Sequence, residues 1–272
     1  MLKKIIPLGL FCIFIIGIPL SSQSQERPEG SQTRSPSTAL WAGFYGKFRL
    51  TDKLFWDAQF HYRRVGDEDM RYIGRMAQIY NRHAINYLVS KNFSVSLGPV
   101  LRLNFTPDPG NPDFEDIVLE PRIWHEYLFA MPFPRFMIYH RVRIEHRWSR
   151  SNHVDSDWIY RDRWRYKFYM NIPLNNTKLI PGTFYFTPDV EIIMQSGKAI
   201  TDSPLEDLRI NPSIGYIASP RIKYTVGMMY TTGQNLDAGW DFNSRWVLRV
   251  NAYISLDFRK FETKIPEIRI DD

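Results

Sequence analysis

Two segments of this chain concentrate the residues that could do chemistry. In "RVRIEHRWSR", residues 141–150, Arg141, Arg143, Glu145 and Arg147 occupy every second position. In "YRDRWRYKFYMNI", residues 160–172, Arg161, Arg163, Arg165 and Lys167 do the same. A guanidinium stays charged at any working pH, and its fork of donors fits carboxylate and phosphate oxygens. Such a ladder could grip nucleic acid, attract small anions or pack against carboxylates. Glu120, Glu126, Glu145, Asp189 and Glu191 are the candidate acidic partners, with Asp57 and Asp257 as further ones. With that many acids, a structural network of ion pairs outweighs a free basic wall. The two can coexist, because several arginines can share one carboxylate.

Other chemistries find less support. A serine–histidine pair on a strand needs an even spacing to share a face. None of His61, His83, His125, His140, His146 and His153 has serine two positions on. His146 and Ser149 are three apart and would face opposite sides, so no catalytic residue is assigned. "GDEDM", residues 66–70, gathers acids without the spacing of a calcium loop. No phosphate-cradling glycine loop is present, and no metal or cofactor is expected. The only cysteine, Cys12, lies in the apolar N-terminal run, which removes thiolate chemistry from the rest.

The elements that must position the ladder are strands. In residues 54–62, Leu54, Trp56, Ala58, Phe60 and Tyr62 share one face, and Asp57, Gln59 and His61 the other. Residues 93–105 and 246–258 alternate in the same way, and no amphipathic helix of useful length appears. Eleven candidates stand out: 40–50, 54–65, 71–89, 93–105, 117–130, 136–148, 158–172, 184–195, 208–218, 222–230 and 246–258. Most exceed the globular mode of about 5–6 residues and suit the roughly 9–11 needed to cross a bilayer. Short connections at 51–53, 90–92, 132–135 and 219–221 alternate with generally longer ones, and 174–183 is long where a short turn is due. Trp41, Trp56, Trp148, Trp158, Trp246 and Phe258 cluster near strand ends, like interfacial girdles. The expectation is an all-β, transmembrane antiparallel up-and-down β-barrel of about 12 strands, within a range of 10–12. Its apolar face would meet lipid and its arginines a lumen, because arginine at the bilayer midplane costs about 2–4 kcal/mol. An even count is usual, so eleven visible candidates leave a parity problem. The leader could hold a twelfth strand or thread the lumen.

The N-terminus sets the compartment. Lys3 and Lys4 precede an apolar run from Ile5 to Leu20, followed by Ser22 and Ser24 at the spacing of a cleavage site. That is the pattern of a secretory signal peptide. The expected organisation is a signal peptide at 1–24, a flexible leader at 25–39, the barrel at 40–258 and a C-terminal tail at 259–272. Losing two lysines lowers the formal charge from +6 to +4. Export and mild charge together argue against a nucleic-acid partner. The expected location is the outer membrane of a Gram-negative bacterium. Its lipid and, during biogenesis, the barrel-assembly machinery are the expected partners.

Three pieces carry a family resemblance: "RVRIEHRWSR", "YRDRWRYKF" after a polar loop, and "RINPSIGYIASPRIKYTVGMMY" at 209–230. With them, residues 41–258 resemble a family of short outer-membrane barrels from bacteroidete-type bacteria, a domain of unknown function. The resemblance implies a barrel and no known activity. Such barrels commonly end on the aromatic that closes the last strand, whereas Phe258 here is followed by further residues. The function expected is an integral outer-membrane protein, read as a narrow pore biased to anions. Its alternatives are a lipid-modifying enzyme and a structural barrel whose loops bind a partner.

Overall fold

The computed structural model describes residues 37–105, 112–113, 115–200, 203–234 and 242–259. The segment read as a signal peptide, most of that read as a leader and nearly all of that read as a C-terminal tail lie outside them. The described residues form strands β1 (Ser37–Arg49), β2 (Leu54–Val65), β3 (Arg75–Ser90), β4 (Phe93–Phe105), β5 (Ile117–Pro132), β6 (Met137–Ser149) and β7 (Ile159–Pro173). There follow β8 (Phe184–Thr187), β9 (Asp189–Ser196), β10 (Leu205–Ile210), β11 (Ser213–Ser219), β12 (Ile222–Gln234) and β13 (Phe242–Asp257). The ladder therefore begins at Ser37, inside the segment read as leader.

These strands make one closed, mostly antiparallel β-barrel of 11 strands plus extra strands. The extra strands come from two prolines. Pro188 separates β8 from β9, and Pro212 lies between β10 and β11. Proline has no N–H to give the ladder, so the pairing lapses locally. The register does not slip. Along β7, Tyr169 faces Asp189 on β9 and Ile172 faces Phe186 on β8. Along β12, Tyr230 faces Ile210 on β10 and Gly227 faces Ser213 on β11. Each proline-broken pair is thus one continuous stave, and the expected count of about twelve fits.

Closure explains the parity problem. Consecutive staves run antiparallel, so in an odd set the first and last point the same way. β1 and β13 accordingly pair in parallel, from Ser37 opposite Arg245 to Arg49 opposite Asp257. Every edge is taken without a twelfth strand.

Burial alternates along the staves with the sense inverted. On β5, Val118, Glu120, Arg122, Trp124, Glu126 and Leu128 are buried, while Ile117, Leu119, Ile123 and Phe129 are exposed. Glu145 is 0% exposed and Leu97 is 58% exposed. The interior takes the charges, and the outer face takes the aliphatic and aromatic side chains. One expectation changes here. Trp41 does not belong to an outer girdle; it points inward, because it shares the β1 face with Tyr45 and Lys47.

The long 174–183 connection is ordered by its own polar groups. Asn175 Oδ1 accepts from the Phe184 amide at 2.8 Å, and Asn176 Nδ2 donates to Thr183 Oγ1 at 2.9 Å. Gly182 has a φ of 84°, which glycine adopts without strain. Leu179 packs against an interior apolar cluster of Leu128, Ala130, Met137, Tyr139 and Tyr169. That cluster lies at the short-turn end of the barrel.

Candidate functional site

The inner faces of β3 to β10 hold a lattice of arginines around a few carboxylates. Glu145 on β6 is its centre. It accepts from Arg122 Nη1 at 2.5 Å, Arg165 Nη1 at 2.9 Å and Arg82 Nη2 at 3.2 Å, with Arg163 Nη1 at 3.8 Å. Glu191 on β9 receives Arg141 at 2.7 Å, Arg165 at 2.8 Å and Arg209 at 3.4 Å. Glu120 receives Arg102 at 2.8 Å, Arg122 Nε at 2.7 Å and Arg147 at 2.9 Å. Glu126 takes Arg143 Nε at 2.6 Å, and Asp189 takes Lys167 at 2.6 Å. Buried charges cost several kcal/mol each unless paired and hydrogen-bonded, and sharing satisfies many donors with few acids.

The basic residues of the ladder and the acids Glu120, Glu126, Glu145, Asp189 and Glu191 lie on this inner surface. Arg141, Arg143, Arg147, Arg163, Arg165 and Lys167 meet Glu120, Glu126, Glu145, Asp189 and Glu191 directly or through a shared arginine. Arg161 stands apart. It donates to Ser149 Oγ at 3.1 Å and reaches no carboxylate among the described residues. Sequence reasoning missed Arg82, Arg102, Arg122 and Arg209. Their position two residues from another inward polar side chain, as Arg122 from Glu120, was the available signal.

It also missed Glu206 and Asp207, for a different reason. A register shift between Leu205 and Asp207 lets two consecutive acids reach the interior. Glu206 meets Arg163 at 2.6 Å and Arg147 at 3.2 Å. Asp207 meets Arg209 at 2.6 Å and the Thr231 hydroxyl. A bulge breaks the period of two, and the period was the only guide.

The wall formed by β13, β1 and β2 has a different chemistry. Trp41 lies opposite Arg63 on one side and Arg249 on the other. The Arg63 guanidinium sits 3.6 Å from the Trp41 ring centroid and 4.4 Å from that of Tyr80. Tyr45 stacks on Tyr253 at 4.7 Å and meets His61 edge-on at 5.1 Å. These residues and the lattice line one internal cavity of about 140 Å³.

A polar cluster around His146 lies on the outer face. His146 Nδ1 and Asp162 Oδ1 are 2.7 Å apart, and the Tyr160 hydroxyl donates to the same oxygen at 2.6 Å. The His125 and His146 rings stack at 5.5 Å. Ser149 is buried on the opposite, inner face, bonded to Arg161, so it offers His146 no nucleophile.

A family profile, described as a protein of unknown function (DUF2490), matches residues 38–243. The chain belongs to this DUF2490 family. The match runs from the second residue of β1 to the second residue of β13, so the family spans nearly the whole barrel. Neither the curated proteins nor the solved structures hold a match to the chain.

Proposed function

We propose that this DUF2490 protein is an integral outer-membrane β-barrel of a Gram-negative envelope, with a narrow, arginine-rich lumen biased to anions. Inverted burial is the observation that carries the reading. Ile85, Leu97, Leu101, Leu119, Ile123, Ile192, Val226 and Val250 are exposed around the outside, while Arg122 and Glu145 are sealed inside. Soluble monomers rarely expose contiguous apolar patches beyond about 300–600 Å², and lipid is the solvent in which such a belt is at rest. Closure without a free edge supports the same reading, since an unpaired backbone group in hydrocarbon costs several kcal/mol.

The anion bias follows from charge. Among the described residues, Arg63, Arg161, Arg245 and Arg249 make no ion pair with a carboxylate, whereas Glu120, Glu126, Glu145, Glu191 and Glu206 are each shared by two or more cations. A positive interior raises the local concentration of anions. The lattice fills the β5–β9 side, so a solute would travel along the β13–β1–β2 wall. Planar-bilayer recording of the purified protein tests this. We expect small conductance with chloride preferred over potassium, and silence across many insertions would sink the pore.

The His146–Asp162 pair favours a second reading, a lipid-modifying enzyme. A carboxylate on Nδ1 orients a histidine as a base, here on the face that would meet lipid. Hydrolysis of phospholipid or lipid A that disappears in His146→Ala would support it.

A further inference from the structure

On the interior wall at the β1–β13 closure, three side chains hold buried polar atoms that meet no hydrogen-bond partner among the described residues. Arg249 makes no hydrogen bond or ion pair among the described residues, and its Nε is buried. Arg63 donates through Nη1 to Gln78 Oε1 and the Tyr80 hydroxyl at 3.3 Å each, which leaves its buried Nε unused. His61 Nε2 is buried and unpartnered as well. All three line the same space.

Their placement is fixed by the ladder. Arg63, Trp41 and Arg249 are lateral neighbours in the register, as are His61, Gly43 and Asn251 one inward position further along. Clamping between Trp41 and Tyr80 holds the Arg63 guanidinium in one plane, so little freedom remains to be lost on binding. Gly43 leaves room at the centre of the wall for the Asn251 and Tyr45 side chains. A Cβ there would lie 2.6 Å from Asn251 Oδ1 and 2.9 Å from the Tyr45 ring. Asn251 itself is anchored, donating to Thr225 Oγ1 at 2.9 Å. The carboxylate on this wall, Asp57, sits opposite Lys47, three inward positions from Arg63. The contrast with the other side of the barrel is chemical. There every guanidinium but that of Arg161 makes an ion pair, and here, among the described residues, two guanidiniums and an imidazole make none, the Asp189 carboxylate near Arg249 being taken by Lys167.

We propose that Arg63, Arg249 and His61 form a binding site for a small oxyanion, either inorganic or the carboxylate of an acidic sugar. The site supplies charge-assisted hydrogen bonds to the oxygens, and Tyr45, Gln59 and Asn251 border it with groups suited to hydroxyls. It deepens the proposed function by giving the anion bias a place, and it rests on the interior reading rather than on conduction.

Titration calorimetry on the full folded chain in detergent tests it, with inorganic phosphate, glucuronate and glucose as probes. We expect saturable binding of an oxyanion and none of glucose. Phosphate alone marks an inorganic site, and glucuronate binding tighter than phosphate marks a sugar-acid site. Arg249→Gln and Arg63→Gln should each weaken binding about tenfold or more, the loss of one charge-assisted hydrogen bond. Heat-modifiable migration on a gel verifies that each variant is folded. Absence of saturable binding to the wild type overturns the proposal, whatever the variants do. Undiminished binding in both folded variants also overturns it, by placing the anion on the lattice. Bilayer recording separates this from the reading above. Binding without conductance removes only the pore, and conductance without binding removes only the site.

Discussion

Arg143 on β6 lies directly opposite Arg165 on β7. Like charges face to face on a ladder are destabilising, yet here the next inward pair, Arg141 opposite Lys167, is of like charge too. The arrangement holds because the guanidiniums turn to different carboxylates. Arg143 goes to Glu126, while Arg165 goes to Glu145 and Glu191. Direct cross-strand pairs on the far side, such as Glu126 opposite Arg143, and diagonal contacts, such as Arg165 to Glu145, together hold the ladder.

Glu145 is therefore the most sensitive position in the interior. Glu145→Gln keeps the shape and removes the charge that four guanidiniums share. Breaking a buried pair by removing one partner costs about 3–5 kcal/mol, and we expect a loss at least at that level. Urea unfolding in lipid vesicles, followed by tryptophan emission, measures it. A midpoint within error of wild type would show that Glu120 and Glu191 suffice without it. Lys167→Met, which removes one cation from Asp189, should cost less, because Arg249 and Asn211 remain near that carboxylate.

Tryptophan orientation tests the inside-out assignment directly. Trp246 is 42% exposed on the outer face, and Trp41 is sandwiched by Arg63 inside. In single-tryptophan variants reconstituted with brominated lipid, Trp246 emission should be strongly quenched and Trp41 emission should not. Quenching of both alike would refute the assignment of faces.

Much of this was legible in the sequence, because a barrel repeats one physical rule. Period two gave the strands, and the cost of arginine in lipid assigned the faces, so the arginines at 141–147 and 161–167 fell inward together. What escaped were departures from the period. The bulge that turns Glu206 inward has no signature in "PLEDL". Trp41 was misassigned by residue type, although its odd position with Tyr45 and Lys47 already marked it as inward. The parallel closure was hidden behind an expectation of even parity, and only the β1–β13 register reveals it. The pairing of particular arginines with particular acids depends on whether each long side chain takes its direct cross-strand partner or a diagonal one, and no strand pattern encodes that.

The outer belt makes its own prediction. Leu97 on β4 lies between Ile85 on β3 and His125 on β5. Leu97→Arg would place a guanidinium among apolar side chains in mid-strand. In a bilayer this costs about 2–4 kcal/mol near the midplane, whereas on a water-facing surface it would cost almost nothing. Unfolding from vesicles measures the difference. A neutral substitution would place this face in water.

The 174–183 connection yields the last prediction. It is the long segment at the end where the other turns are tight, and it is held by Thr183, which is 0% exposed and accepts from Asn176. Its Leu179 reaches the cluster around Tyr139 and Tyr169, whose rings stack at 4.5 Å. An apolar constriction in a pore resists water and ions by dewetting. Leu179→Ser should therefore raise single-channel conductance several-fold while leaving anion preference intact, because the basic wall is untouched. Stability should fall by only about 1 kcal/mol, since Leu179 is no more than partly buried. Unchanged conductance would mean that the constriction lies elsewhere, at the arginine–glutamate lattice, and Glu191→Gln would then be the variant that widens the path.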